Sequence, residues 1–139
     1  MIEKDMQSLF KVHLGKNVPT ETMVYELKME KGSSIAFARV YDHQVTWLYQ
    51  AKHSHVYHKI ADTTMSFGGK QTFNKPKPFD CMVIVKVPAW VIIMFYKPRE
   101  KKEALYIDID DWIKERDTSS RKSLTEQRAR EISSHIVII

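Results

Sequence analysis

The chain has 139 residues, 43% of them apolar, which fits one domain over residues 1–139 with a core that needs no disulfide staples. Lysine and arginine total 22 against 17 acidic residues, and the resulting charge of +5 admits a polyanionic partner without demonstrating one. Cys81 is the single cysteine, so an internal disulfide is excluded, and no run approaches the ~20 apolar residues of a membrane span.

Met6, Leu9, Phe10 and Leu14 recur three and four apart, predicting an amphipathic helix from Glu3 to Leu14 with Gly15 placed to end it. The charged start, Ile2-Glu3-Lys4-Asp5, has no apolar run suited to a signal peptide, so a cytoplasmic setting is expected. Asn17-Val18-Pro19-Thr20 reads as a loop. From Thr22 to Met29 the pattern alternates as in a half-buried strand. Met23, Tyr25, Leu27 and Met29 face one way, and Val24, Glu26 and Lys28 the other.

Lys31-Gly32-Ser33-Ser34 predicts a turn, and Tyr41 to Lys52 a second helix with Val45, Leu48 and Ala51 in phase. His55 to Ile60 reads as a short strand. Thr63 to Lys77, with Gly68-Gly69 and Pro76, reads as a long loop of the kind that commonly carries function. Phe79–Val87 and Ala89–Tyr96 then predict a hairpin around Pro88, apolar enough for a central sheet covered on both faces. A strand at Leu105–Ile109, a helix opening at Asp111-Trp112-Ile113 and a polar helix from Ser123 to about Ser134 follow. Ile136–Ile139 is expected as a last strand, at a sheet edge or a subunit contact. Trp47, Trp90 and Trp112 fall in apolar-periodic segments and are expected in the core or an interface. His53 and His55 are expected on one strand face with His58 opposite. No cysteine pair supports a zinc site there.

Glu26-Leu27-Lys28 is the chemically informative triplet. Period-two geometry sets a carboxylate and an ammonium side by side, where the first can hold Mg²⁺ through oxygen and the second can orient a water or neutralise a phosphate. By itself such a triplet is ordinarily an exposed ion pair. Its surroundings carry more. Tyr25-Glu26-Leu27-Lys28, then Lys31-Gly32-Ser33-Ser34-Ile35-Ala36-Phe37, then Asp42-His43-Gln44 resembles the PD-(D/E)XK nuclease superfamily, and within it the RecU and Hjc types of Holliday-junction resolvase, phage-encoded relatives included. The likeness runs from about Glu3 to Ile60, and less specifically through Lys77-Pro78-Phe79-Asp80.

The resemblance implies an α/β, restriction-endonuclease-like fold, a mixed and mostly antiparallel central sheet flanked by helices. It implies a Mg²⁺-dependent DNA endonuclease (Mn²⁺ substituting), acting as a homodimer on four-way junctions in a bacterial or phage-infected cell. Glu26 matches the acidic metal ligand, Lys28 the catalytic lysine, Leu27 a backbone-carbonyl contact to the metal, Glu3 an acidic residue near the metal, and Gln44 the glutamine of the following helix. One element departs: no aspartate precedes the triplet between Gly15 and Val24, and Asp80 is the replacement preferred here. Asp80 could equally end a loop, and Gln44 could serve its own helix. Lys31, Ser33, Ser34, Arg39, Lys70, Lys75 and Lys77 fall in the two loops expected beside the metal and are the phosphate-contact candidates, for shape and backbone rather than base-specific recognition. Lys97 to Glu103 is a compensated charge run, expected as a solvated hairpin tip. Two other readings stay open: a related nuclease acting on flap, nicked or duplex DNA, and a DNA-binding module without a metal site.

Overall fold

The computed structural model describes residues 2–17, 21–59, 65–67, 70–72 and 81–139. Helix α1 (Glu3–Lys16) turns Met6 and Phe10, four residues apart, onto the sheet, where both are wholly buried. Glu3 and Asp5 lie in its first turn, and the Asp5 carboxylate accepts the Ile2 backbone N–H at 2.8 Å. The helix runs through Gly15 and ends at Asn17, one turn-fraction later than the glycine suggested. Nothing lies within 4 Å of the space a Gly15 side chain would occupy, so that glycine is not forced into a cap.

Strand β1 (Val24–Glu30) alternates as its sequence predicts. Leu27 and Met29 pack beneath α1, while Val24 joins the opposite core layer. A short strand β2 (Ser34–Ala36) and a 3₁₀ turn (Phe37–Arg39) lead into α2 (Asp42–His53), whose Val45, Leu48 and Ala51 are buried. His53 is therefore the last residue of a helix and shares no strand face with His55. Strand β3 (His55–Lys59) follows. The expected loop from Thr63 to Lys77 contains a two-stranded hairpin, β4 (Met65–Phe67) with β5 (Lys70–Thr72).

The predicted hairpin around Pro88 does not form. Strand β6 (Cys81–Val85) pairs antiparallel with β3, and four of its five residues are exposed. The chain turns at Lys86, in the left-handed region with φ 46°. Lys86 and Val87 then donate their N–H groups to Ser54 and Ala51 at the end of α2. That turn redirects the chain from a peripheral ribbon into the central sheet. Apolar content alone hid the break, because β6 carries valines without burying them.

Strand β7 (Ala89–Phe95) is the doubly covered strand the composition predicts. Val91, Ile93 and Ile92, Met94 are wholly buried on its two faces. It pairs parallel with β1 and antiparallel with β8 (Glu103–Asp108). Helix α3 (Ile109–Thr118) follows at once, capped by the Asp108 carboxylate accepting from Asp110 N–H. Ser123–Thr125 is a strand, β9, paired with β2, so α4 (Glu126–Ile132) starts three residues later than predicted, capped by Thr125. Strand β10 (His135–Ile138) ends the sheet as expected.

The result is mixed α/β: a mixed four-stranded sheet in the order β1-β7-β8-β10, with α1 on one face and α2, α3 and α4 on the other. Trp112 is wholly buried in the larger layer, and Trp47 and Trp90 pack against the two cores. No described helix is long and apolar enough to cross a membrane. Strands β1 and β10 are the two edges.

An ionic clasp fixes the end of α2. Lys52 donates to Asp108 at 2.7 and 2.8 Å and to Asp110 at 2.6 Å, and His53 Nε2 lies 2.8 Å from Asp110. A carboxylate only accepts, so that ring nitrogen carries the proton. Burial works against the Lys52 ammonium, but the hydrogen bonds to Asp108 and Asp110 outweigh it and hold its pKa above the ordinary 10.5. Burial likewise works against the Asp110 carboxylate, and the bonds from Lys52 and His53 outweigh it, holding its pKa below 3.8.

The stabilisation from Asp110 is full above its unfolded value and lost as pH falls through the lower, folded one. That from Lys52 is full below 10.5 and lost as pH rises through the higher, folded value. Lys52→Met is therefore expected to lose about 1–2 kcal/mol at neutral pH, allowing for solvent screening. Urea melts of both proteins should show that deficit shrinking as pH falls below 3.8 toward the lower, folded value of Asp110. A deficit independent of pH would show that Lys52 acts through its methylenes alone.

Candidate functional site

Strand β1 is an edge of the sheet, and its residues Glu26, Lys28 and Glu30 build a charged row along one face. Lys28 and Glu26 form an ion pair at 2.9 Å. Lys28 is only 7% exposed, the one buried charged side chain among the described residues, while the Glu26 side chain keeps a quarter of its surface open. The pair is thus not the solvated surface bridge that such a triplet ordinarily makes. A desolvated ammonium keeps more of its pull on an anion than one in water.

Glu26 and Leu27 line an open cleft of about 220 Å³ together with Tyr25 and with Gln7 and Lys11 of α1. Lys11, which no sequence motif singles out, reaches this cleft because α1 crosses the strand there.

Two residues further along the same face stands Glu30, also missed, although the period-two row Val24, Glu26, Lys28, Glu30 carries it. Its Oε1 accepts the N–H groups of Lys31 and Gly32 at 2.9 Å each, and its Oε2 accepts from Arg39 at 2.9 Å. Arg39 also reaches Glu3 at 3.2 Å. Glu3 and Arg39 are therefore brought together, with Glu30 between α1 and the 3₁₀ turn. This three-residue clamp gives Arg39 two carboxylates to neutralise and Glu3 a cation to hold. Glu30 fixes the turn that displays Lys31 and Ser33, both exposed. The Ser33 carbonyl accepts from Glu126 N–H at 2.8 Å, and Ser34 pairs with Thr125, so the turn is tied to the start of α4.

Gln44 does not lie against Lys28 directly. Its side-chain oxygen accepts the Tyr41 N–H at 2.9 Å, closing the first turn of α2. The consequence passes through Tyr41, whose ring centroid is 5.5 Å from Lys28 Nζ, within cation–π range. No sequence pattern signals that contact, because Tyr41 and Lys28 meet only once α2 packs across the sheet.

Asp80, Lys75 and Lys77 lie outside the described residues, and Lys70 falls on β5. Among the described residues no group of three or more His, Cys, Asp or Glu side chains is placed to hold a metal ion. The donors at the cleft are of the right kind for Mg²⁺, which takes oxygen ligands and commonly needs only one or two carboxylates beside waters and substrate phosphate.

Elsewhere several cations are held in ion pairs. Arg128 meets Glu115 and Glu131 at 3.0 Å, and Arg130 meets Glu103 at 2.7 Å and Glu126 at 3.0 Å. Lys97, at the hairpin between β7 and β8, pairs with Glu126 at 2.9 Å. On the β1 side Lys11 and Lys31 are exposed, while Lys28 is buried and engaged by Glu26.

Comparisons with protein-family models, with curated proteins and with solved structures find no match to this chain.

Proposed function

We propose that the protein is a metal-dependent DNA endonuclease of restriction-endonuclease-like fold, working at the open edge of β1. The observation that carries this reading is the buried Lys28 held at 2.9 Å by a partly open Glu26 beside a cleft. Burying an ammonium is unfavourable unless it is paired, and a fold that only needed a surface bridge would leave both groups in water.

In this reading Glu26, with the Leu27 carbonyl and Asp80, would hold Mg²⁺ through oxygen. The bound cation would supply charge neutralisation on the phosphate and a more acidic water. Lys28 binds a non-bridging phosphate oxygen or aligns the attacking water, and Lys11 and Lys31 steer the backbone toward it. The Glu3–Arg39–Glu30 clamp holds α1 and the Ser-Ser turn in place around that edge.

A four-way junction is the proposed substrate, cut by a homodimer whose two sites are related by a two-fold axis. Strand β10 offers a joining surface. Among the described residues it has a neighbour on one side only, Ile136 and Ile138 are exposed on it, and it carries no lysine or proline to discourage pairing.

Incubating the chain with labelled junction, flap and duplex DNA over a Mg²⁺ titration tests the reading. Paired symmetric incisions in the junction are expected, lost with a chelator and restored by excess Mg²⁺ or Mn²⁺, from a species that sediments as a dimer. DNA binding with no cleavage at any metal concentration would leave a non-catalytic module. Cleavage of flaps or duplex alone would leave the nuclease and remove the resolvase.

A further inference from the structure

Beside the Glu26–Lys28 pair stands a largely exposed aromatic surface. Tyr41 immediately precedes α2, and 59% of it is exposed. Its neighbours Val40 and Val45 supply the core contacts of this segment, being 2% and 5% exposed. The backbone at Tyr41 is held by Gln44, so the ring is presented from a fixed base. His43, also exposed, lies nearly parallel to it, with centroids 5.7 Å apart and planes at 13°. That separation is an offset stack, which leaves part of each ring face uncovered. Lys28 Nζ sits 5.5 Å from the same tyrosine ring.

A flat π-surface and a desolvated cation within a few ångströms match the two parts of a nucleotide, a base with an apolar face and an anionic phosphate. We infer that Tyr41, with His43, is a stacking platform for an unpaired nucleobase whose neighbouring phosphate meets Lys28. The inference rests on the nuclease reading and narrows its substrate to DNA with an unpaired nucleotide beside the cleaved bond. In an uninterrupted duplex both faces of each base are covered by the stack, so the platform gains nothing unless a base is first pulled out. At an opened branch point the central base pairs have lost a stacking neighbour on one face, so a base is freed there at lower cost. Stacking tolerates any base, because each has a π-face, so the platform selects for structure and not for sequence.

The test uses the full chain with metal chelated, so that DNA stays intact. A fluorescent adenine analogue is placed at an unpaired branch position, or at the same position in a fully paired duplex. Quenching of the unpaired probe alone is expected in the wild type and in Tyr41→Phe, which keeps the π-face. Tyr41→Leu keeps an apolar cover over Lys28 without that face. It is expected to lose the quench and to bind branched DNA about tenfold more weakly, with duplex affinity unchanged.

Equal quenching at paired and unpaired positions in the wild type overturns the inference without recourse to any variant. So does a Tyr41→Leu protein that loses branched and duplex affinity equally, since Tyr41 would then only order Lys28. Wild-type protein that binds neither DNA removes the nuclease reading itself, and the platform with it.

Discussion

Replacing Lys28 by methionine is expected to lower Mg²⁺-dependent cleavage by at least about a hundredfold while leaving the fold intact. The side chain is similar in length and apolar, and a buried ion pair replaced by packing is often near neutral in stability. Glu26 would lose its partner, but a quarter of its side chain is open to water, which takes over part of the solvation. The complementary change, Glu26→Gln, leaves the buried ammonium facing a neutral amide oxygen. It is expected to cost about 1–2 kcal/mol of stability, because one charged acceptor becomes a neutral one. Its cleavage should fall at least as far, since the proposed oxygen ligand to the cation loses its charge. Both variants should still bind DNA. Single-turnover cleavage at saturating protein separates the chemical step from binding. Full activity in either variant would reduce the pair to an ordinary structural bridge.

The second large effect is on stability. Trp112→Ala is expected to lose about 3–5 kcal/mol, enough to unfold much of the population of a marginally stable domain. Trp112 is wholly buried and meets Phe37 edge-on at 5.3 Å. It shares its layer with Val45, Leu48 and Ala51 of α2, so a cavity here loosens the helix that carries Tyr41 over Lys28. Trp112→Phe is a gentler change. It keeps an aromatic edge against Phe37 and removes a buried Nε1 that has no hydrogen-bond partner among the described residues. Since an unpaired buried donor costs about 1–3 kcal/mol, part of the lost packing is offset. Urea denaturation of the two variants should separate them by at least about 1 kcal/mol. Equal losses would mean that the indole nitrogen is satisfied in solution.

How much of this was legible in the sequence depended on whether the signal was local. The periodicities of α1, α2 and β1 were readable because each buries one face, and that face repeats along the chain. The phase of β1 placed Glu26 and Lys28 together, and the structure sets them 2.9 Å apart. The partner of β6 was not readable. Val83 and Val85 look like a buried hairpin arm, yet the left-handed turn at Lys86 sends them outward, and an unmarked lysine gives no warning of it. Burial of Lys28 was also hidden. It follows from β1 lying under α2 and beside β7, a tertiary fact that no triplet encodes. Gln44 shows the same limit from the other side: its position on α2 was legible, whereas its bond to Tyr41 N–H belongs to the geometry of the helix start.

The strand order also sets a distance. With β1 and β10 at opposite edges, the proposed substrate chemistry and the proposed self-association would not compete for the same backbone. A two-fold dimer joined β10 to β10 would form one eight-stranded sheet with a β1 strand at each end. Seven strand spacings of about 4.8 Å would put the two β1 edges roughly 34 Å apart before twist, close to one turn of a DNA helix. The sheet would then act as a ruler, spacing two incisions by its number of strands.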